Sequence, residues 1–294
     1  MGAWQRWLKA PATLRWRRLL FQLHLWLGIG LGLYVLMISV SGSAIVMRPQ
    51  INRWLIPSEV TPTDAAALEG AALEARVAAV YASDATVKLI TPPTREGRAV
   101  YVVLDRAGIE HTRFFDQYRG IDLGSTYPWP VQTVEWLTRL HDDLLLDRQG
   151  RRLNGWGGVL FMVMLVSGLV LWWQGKRRWR DGLVIRRESA RPFMWQLHSF
   201  LGFWSMLMIF IWGLTAMYFA WPTAFEWFID AMDSDLDDFE RPDGWLRLLI
   251  DLHFGRFRGL LWANILWIIL GLLPAALYIS GFLLWYRRVL RHQI

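Results

Sequence analysis

Histidine is the residue type in this chain whose number and spacing could do chemistry. Of six histidines, four sit in repeated contexts. Gln22-Leu23-His24-Leu25-Trp26-Leu27-Gly28 recurs 174 positions later as Gln196-Leu197-His198-Ser199-Phe200-Leu201-Gly202, and Leu140-His141 recurs as Leu252-His253. Cysteine is absent, which excludes a disulfide framework, Cys-ligated zinc, an iron–sulfur cluster and a covalently attached c-type haem. Metal chemistry must rest on His, Asp, Glu or Met. Pairs of neutral imidazoles on facing helices form a natural axial set for haem iron, so His24 with His198, and His141 with His253, predict two bis-histidine haems. With both axial positions filled, the expected task is electron transfer. Gly28 and Gly202 lie four residues after His24 and His198, on the same helical face, where a missing side chain leaves room for a flat macrocycle. Arg18 and Arg191 at one pair, and Arg139 and Arg256 at the other, are candidates to meet its carboxylates. A lone membrane histidine is more often a helix-to-helix hydrogen-bond partner; four in register favour ligation. One ion held by all four is excluded, because the pairs fall at opposite ends of helices rising about 1.5 Å per residue. His111 and His292 have no repeat partner.

The elements that must position these residues are membrane helices. The chain has 294 residues, 54% hydrophobic and only 19% charged, with 20 Trp and a mean hydropathy of +0.24, too apolar for disorder and unusual for a soluble domain. Four stretches lack formal charge for the roughly 20 residues a span needs: Leu19 to Met47, Leu153 to Gly175, Pro192 to Phe225 and Gly259 to Tyr286. Trp172, Trp173, Trp221, Trp227 and Trp285 mark their ends, as expected at headgroup level. The first is too long for a cleavable signal and lacks a cleavage pattern. Residues 1–18, 176–191 and the tail after Tyr286 carry 15 positive and 2 negative charges, and the rest of the chain sums to −6. The positive-inside bias therefore predicts both termini in the cytoplasm, and the basic pI is a topology signal with no need of nucleic acid.

Ser167-Gly168-Leu169-Val170-Leu171-Trp172-Trp173 also matches Ser280-Gly281-Phe282-Leu283-Leu284-Trp285-Tyr286. The chain thus reads as mainly α and polytopic, its four transmembrane helices arranged as two parallel two-helix repeats about a pseudo-twofold axis. His24 and His198 are expected near the inner surface and His141 and His253 near the outer. The expected organisation is 1–47, N-terminus and first span; 48–130, a small outer α+β domain; 131–175, an outer helix and second span; 176–191, a basic inner loop; 192–225, third span; 226–258, an acidic outer loop and helix; 259–294, fourth span and tail. Within the outer domain, Thr63-Asp64 caps a predicted helix over Ala66 to Tyr81, and Thr86 to Thr91, Ala99 to Leu104 and Ile109 to Phe115 predict an antiparallel meander. The acidic run Asp230 to Asp243 reads as a solvated loop, with an iron or partner site as the alternative.

Gln22-Leu23-His24 with Leu27-Gly28, Ser39 to Gly42, Leu140-His141, Ser167-Gly168 with Leu171-Trp172-Trp173, and their second-copy counterparts resemble the PepSY-associated transmembrane helix family, whose members include inner-membrane siderophore-iron reductases. Val100 to Leu104 and Phe115 to Gly124 look like the strands and closing turn of a PepSY domain. The resemblance implies a multi-pass protein of the bacterial inner membrane with a PepSY-like periplasmic domain. It implies two haem b, with His24, His141, His198 and His253 as axial ligands, and reduction of a ferric siderophore on the periplasmic side. Some relatives carry a second PepSY domain between the third and fourth spans, where this chain has only the acidic loop. No flavin or nicotinamide fingerprint occurs, so the expected electron donor is a cytoplasmic reductase or a membrane quinol. The competing readings are a non-redox permease for siderophore or metal, against which the lack of charge within the spans argues, and a membrane-anchored PepSY binding or regulatory module.

Overall fold

The computed structural model describes residues 3–9, 11, 14–63, 66–175, 178–188, 191–225, 227, 243–255 and 260–291. The chain is mostly helical and divides into two compact units, Met47–Glu135 and the remainder, Met1–Val46 with Trp136–Ile294.

The larger unit holds the helices among which the candidate membrane spans fall. They are α1 (Ala3–Lys9), α2 (Arg15–Gly30) and α3 (Gly32–Ile45) before the smaller unit; α6 (Trp129–Asp143), which crosses the unit boundary; then α7 (Asp147–Trp172), α8 (Phe193–Ala220), α9 (Asp243–Phe254), α10 (Leu261–Gly271) and α11 (Leu273–Arg291). Among the described residues, three helical segments are long and apolar enough to cross a membrane: Asp147–Trp172, Phe193–Ala220 and Leu261–Val289. The pair α2 and α3 makes a fourth if counted as one span, but it is bent by 58°, where the composition predicts one continuous helix. The cause lies in Gly30 and Gly32, which flank the break at Leu31 and weaken the helix there. Gly32 also admits a neighbour, since a Cβ at this position would lie 1.8 Å from Cε2 of Tyr278.

The last span is interrupted too. Pro274 is the second residue of α11 and has no N–H to offer the ladder. Ser39 of α3 bridges the interruption: its Oγ donates to the Gly271 carbonyl at 2.5 Å and accepts the Ala275 N–H at 3.2 Å, taking the place of the bond those two groups would make in an unbroken helix. The helix of the second span starts at Asp147, six residues before the uncharged stretch, and Asp147, Arg148, Arg151 and Arg152 lie in its first two turns. α7 and α8 pack along their length through small residues. A Cβ on Gly158 would stand 2.9 Å from the Gly213 carbonyl, and one on Gly213 would meet Met162 Sδ at 2.9 Å, the close approach that membrane helices use in place of hydrophobic drive.

The smaller unit contains α4 (Arg48–Leu55), α5 (Gly70–Tyr81) and a four-stranded antiparallel sheet in the order β1 (Thr86–Thr91), β2 (Val100–Arg106), β3 (Ile109–Asp116), β4 (Ile121–Ser125). Strand alternation puts Val100, Val102 and Leu104 on one face of β2, where with Phe115 they meet Leu73, Val77 and Tyr81, spaced four apart on α5. This helix begins at Gly70, not Ala66; Asp64 lies outside the described residues. The reason is that Leu68 donates its N–H to the Gln117 carbonyl at 2.9 Å, so the residues before the helix run extended against the loop after β3. β4 is a strand where a closing turn is expected. Buried Asp116 builds the reversal into it, accepting the N–H groups of Tyr118 and Arg119 at 2.8 and 3.1 Å and the Arg119 guanidinium at 2.8 Å.

Asp122 ties β4 to the helix, accepting the Tyr81 hydroxyl at 2.7 Å and both arms of Arg113. Burial pushes this carboxyl up, but the Arg113, Tyr81 and Gly124 hydrogen bonds outweigh it, and its pKa falls below the ordinary value. A carboxyl depressed by folding stabilises above its unfolded pKa and loses that contribution as pH falls through the folded value. Hydrogen exchange of β3 and β4, corrected for intrinsic rate, is therefore expected to accelerate on going from about pH 5 to below about pH 3. Asp122→Asn should flatten that dependence; an unchanged profile would mean that Asp122 does not couple the strand to protonation.

Candidate haem-ligand pairs

All four repeated histidines lie in the larger unit, and the structure brings them together as two pairs. His24 on α2 faces His198 on α8, ring centroids 6.4 Å apart and planes crossed at 84°. His141 near the end of α6 faces His253 near the end of α9, also at 6.4 Å, with planes at 61°. All four rings are half-buried.

Each ring is anchored at Nδ1 by a neighbouring helix. His24 Nδ1 lies 2.9 Å from Ser167 Oγ on α7. His198 Nδ1 lies 3.0 Å from Ser280 Oγ and 3.1 Å from the Leu277 carbonyl on α11. His141 Nδ1 lies 3.0 Å from the Ile38 carbonyl and 3.4 Å from Ser41 Oγ on α3. His253 Nδ1 lies 2.5 Å from Thr215 Oγ1 on α8. Beside three of the hydroxyls sits a glycine against which the imidazole edge rests: a Cβ would lie 3.1 Å from His24 Cε1 at Gly168, 3.2 Å from His198 Cε1 at Gly281 and 2.6 Å from His141 Cε1 at Gly42. His253 is walled by Phe219 and Phe254, at 5.3 and 5.2 Å.

The elements that carry His141 and His253 are themselves held by side chains of the following spans. Asn154 of α7 donates to the carbonyls of His141 and Asp142 at 2.7 and 2.8 Å and accepts the Tyr34 hydroxyl at 3.1 Å. Trp267 of α10 donates to the Leu252 carbonyl at 2.8 Å. These contacts satisfy carbonyls that a helix end leaves without partners.

The spacing within a pair has chemical content. Two imidazoles joined by a direct N–H···N hydrogen bond near 3 Å would have centroids about 5 Å apart. Two on opposite sides of one metal ion, each bonded at about 2 Å, stand roughly 6 Å apart. The observed 6.4 Å matches the second case in both pairs. Among the described residues no group of three or more His, Asp or Glu converges as a metal site, so an ion placed between either pair must bring its remaining donors with it.

Gly28 and Gly202 are loosely surrounded, with a Cβ meeting only Met164 Cε at 3.4 Å and Leu277 Cδ2 at 3.7 Å. Of the four arginines considered for cofactor carboxylates, Arg18 is exposed, Arg139 pairs with Asp147 at 3.2 Å, Arg191 lies 4.5 Å over the Trp195 ring, and Arg256 lies outside the described residues. Arg17 is the one that reaches among the helices, donating to the Val170 and Leu171 carbonyls at 2.9 and 2.5 Å. His111 is exposed on β3; His292 and most of the acidic run lie outside the described residues.

The family model described as "PepSY-associated TM region" matches residues 21–243 and again 232–288. The chain belongs to the PepSY-associated TM family. No curated protein matches it. The first matched segment of this PepSY-associated protein contains His24, His141 and His198, and the second contains His253. The histidines are legible from their repeat alone. Of their Nδ1 partners, Ser167 and Ser280 stand in a repeated segment that carries no sign of their contact, and Ser41 and Thr215, separated by the same 174 positions as His24 and His198, are hidden by the change from Ser to Thr.

Proposed function

We propose that this PepSY-associated protein is an inner-membrane electron-transfer protein that binds two b-type haems and reduces a ferric siderophore on the periplasmic side. The observation that supports it is the presence of two imidazole pairs, each at the separation of ligands on opposite sides of one ion and with no third His, Asp or Glu joining them among the described residues. That donor set fits a porphyrin, which supplies the equatorial nitrogens itself. When bound, each haem would supply a one-electron ferric/ferrous couple. His24 and His198 would hold one and His141 and His253 the other, leaving neither iron an open position for substrate.

The chain's own residues set the length of the path in this reading. Seventeen residues along unbroken α8 separate His198 from Thr215, the anchor of His253, so the two pairs lie about 25 Å apart along the helix. In this reading one pair sits near each face of a bilayer core about 30 Å thick. In this reading the two halves, each with one inner and one outer histidine, are parallel copies of one unit, and the basic segments keep both termini in the cytoplasm. The acceptor is inferred from the resemblance to siderophore-iron reductases; ferrous iron binds hard oxygen ligands more weakly than ferric iron, so reduction releases it. A cytoplasmic reductase or membrane quinol supplies the electrons.

Optical spectra of the purified protein, oxidised and dithionite-reduced, test the proposal. Narrow low-spin bands with two haems per chain are expected; protein that carries no haem and still moves siderophore across vesicles would favour a permease instead. A second expectation concerns Gly28. Alanine there fits the space described above and improves helix propensity by about 1 kcal/mol, so Gly28→Ala should fold at least as well as the parent. If this face borders the macrocycle, haem content at the His24/His198 pair will nevertheless fall; equal loading would remove Gly28 from the pocket wall.

A further inference from the structure

We infer that the hydroxyls of Ser167, Ser280, Ser41 and Thr215 are positioning residues that fix all four imidazoles as the Nδ1–H tautomer and turn each Nε2 toward its pair. This inference rests on the two-haem reading above and assigns the groups that make the ligands competent.

The argument follows the protons. A hydroxyl has one proton to donate and lone pairs to accept with. Ser167 Oγ and Ser280 Oγ each donate to a carbonyl three residues back in their own helices, Met164 and Leu277, at 3.0 Å. Ser41 Oγ donates to the Met37 carbonyl at 2.7 Å, and Thr215 Oγ1 to the Ile211 carbonyl at 2.7 Å. A carbonyl can only accept, so each hydroxyl proton is committed to the backbone. Toward the histidine the oxygen is left as an acceptor, and Nδ1 must be the donor. Two rings give the same answer independently, because His198 Nδ1 and His141 Nδ1 also face the carbonyls of Leu277 and Ile38.

With the proton held on Nδ1, the lone pair resides on Nε2 in every ring. Ligating histidines elsewhere owe their tautomer and orientation to such an outer partner. A neutral hydroxyl already donating to a carbonyl also cannot draw the Nδ1 proton away as a carboxylate would, so the ligand stays a neutral imidazole. At three sites the adjoining glycine completes the clamp by letting the ring edge approach the helix.

The experiment uses the haem-loaded protein in detergent. Ser167→Ala and Ser280→Ala are compared with Ser41→Ala and Thr215→Val, and with Ser280→Thr and Thr215→Ser, which keep the hydroxyl. Three quantities are read: haem per chain, the rate of haem loss to excess apomyoglobin, and the low-spin paramagnetic resonance signals that report imidazole orientation. Variants lacking a hydroxyl are expected to lose one of the two haems about 10–100-fold faster and to alter the signal of that haem alone, while the hydroxyl-retaining variants behave as the parent. If all four deletions leave loss rates and resonance signals unchanged in a protein that carries two haems, the positioning role is overturned and the two-haem reading stands. A parent protein without haem would overturn both.

Discussion

In the two-haem reading, His253→Ala is expected to leave the protein with one haem and to abolish reduction of a periplasmic ferric siderophore. The ring stands 6.4 Å from His141, packed against Phe219 and Phe254 and bonded to Thr215, and alanine supplies no donor in its place. His141 alone would give a single axial ligand among the described residues. The His24/His198 pair belongs to other helices, so its spectrum should persist. The reciprocal variant, His24→Ala, should remove that haem and spare the other. Added imidazole offers a rescue, because the deleted ring leaves a space of its own shape. Pyridine haemochrome quantification against protein concentration reads the result, and two haems per chain in both variants would dismiss the paired histidines as ligands.

The second large effect is expected at a residue that touches no ligand. A Cβ on Gly150 would lie 1.5 Å from the backbone oxygen of Asp143, a clash that no side-chain rotation relieves. The turn between α6 and α7 is already strained: Leu144, Leu145 and Asp147 have φ of 53°, 60° and 50°, a region costing non-glycine residues about 1–2 kcal/mol each. Gly150→Ala must therefore push α7 away from the end of α6. Asn154, one turn further on the same face, would then lose its hold on the His141 and Asp142 carbonyls, and His141 would drift from His253. We expect a loss of roughly 3 kcal/mol or more, read as a lowered thermal midpoint in detergent, together with loss of the haem at this pair. Equal stability and haem content in Gly150→Ala and the parent would contradict the described turn.

The histidine pairing and the spans are legible in the chain because both rest on patterns that survive without three-dimensional detail: local repeats, offset by 174 residues for His24 and His198 and by 112 for His141 and His253, and long uncharged stretches. What escapes such a reading depends on backbone geometry. Hydropathy scores Gly30-Leu31-Gly32 as one more piece of an apolar run, yet those glycines bend the first span. β4 is short and contains Gly124, so alternation across Ile121–Ser125 is too brief to register. The helix expected from Ala66 begins at Gly70 because a single long-range bond from Leu68 to Gln117 holds the preceding residues extended. In the candidate site the Ser-Gly pairs at 41–42, 167–168 and 280–281 look like generic small-residue packing; only their distance to an imidazole nitrogen distinguishes them.

Ser39 carries an implication for biogenesis. A hydroxyl from near the start of the polypeptide substitutes for a missing rung close to its finish, between Gly271 and Ala275. During synthesis the closing membrane segment would enter the bilayer with those two peptide groups unsatisfied in lipid, and would find relief only beside the opening segment already waiting there. Order of insertion thereby becomes order of assembly, and a carboxy-terminal fragment produced by itself lacks the one atom that finishes its own helix.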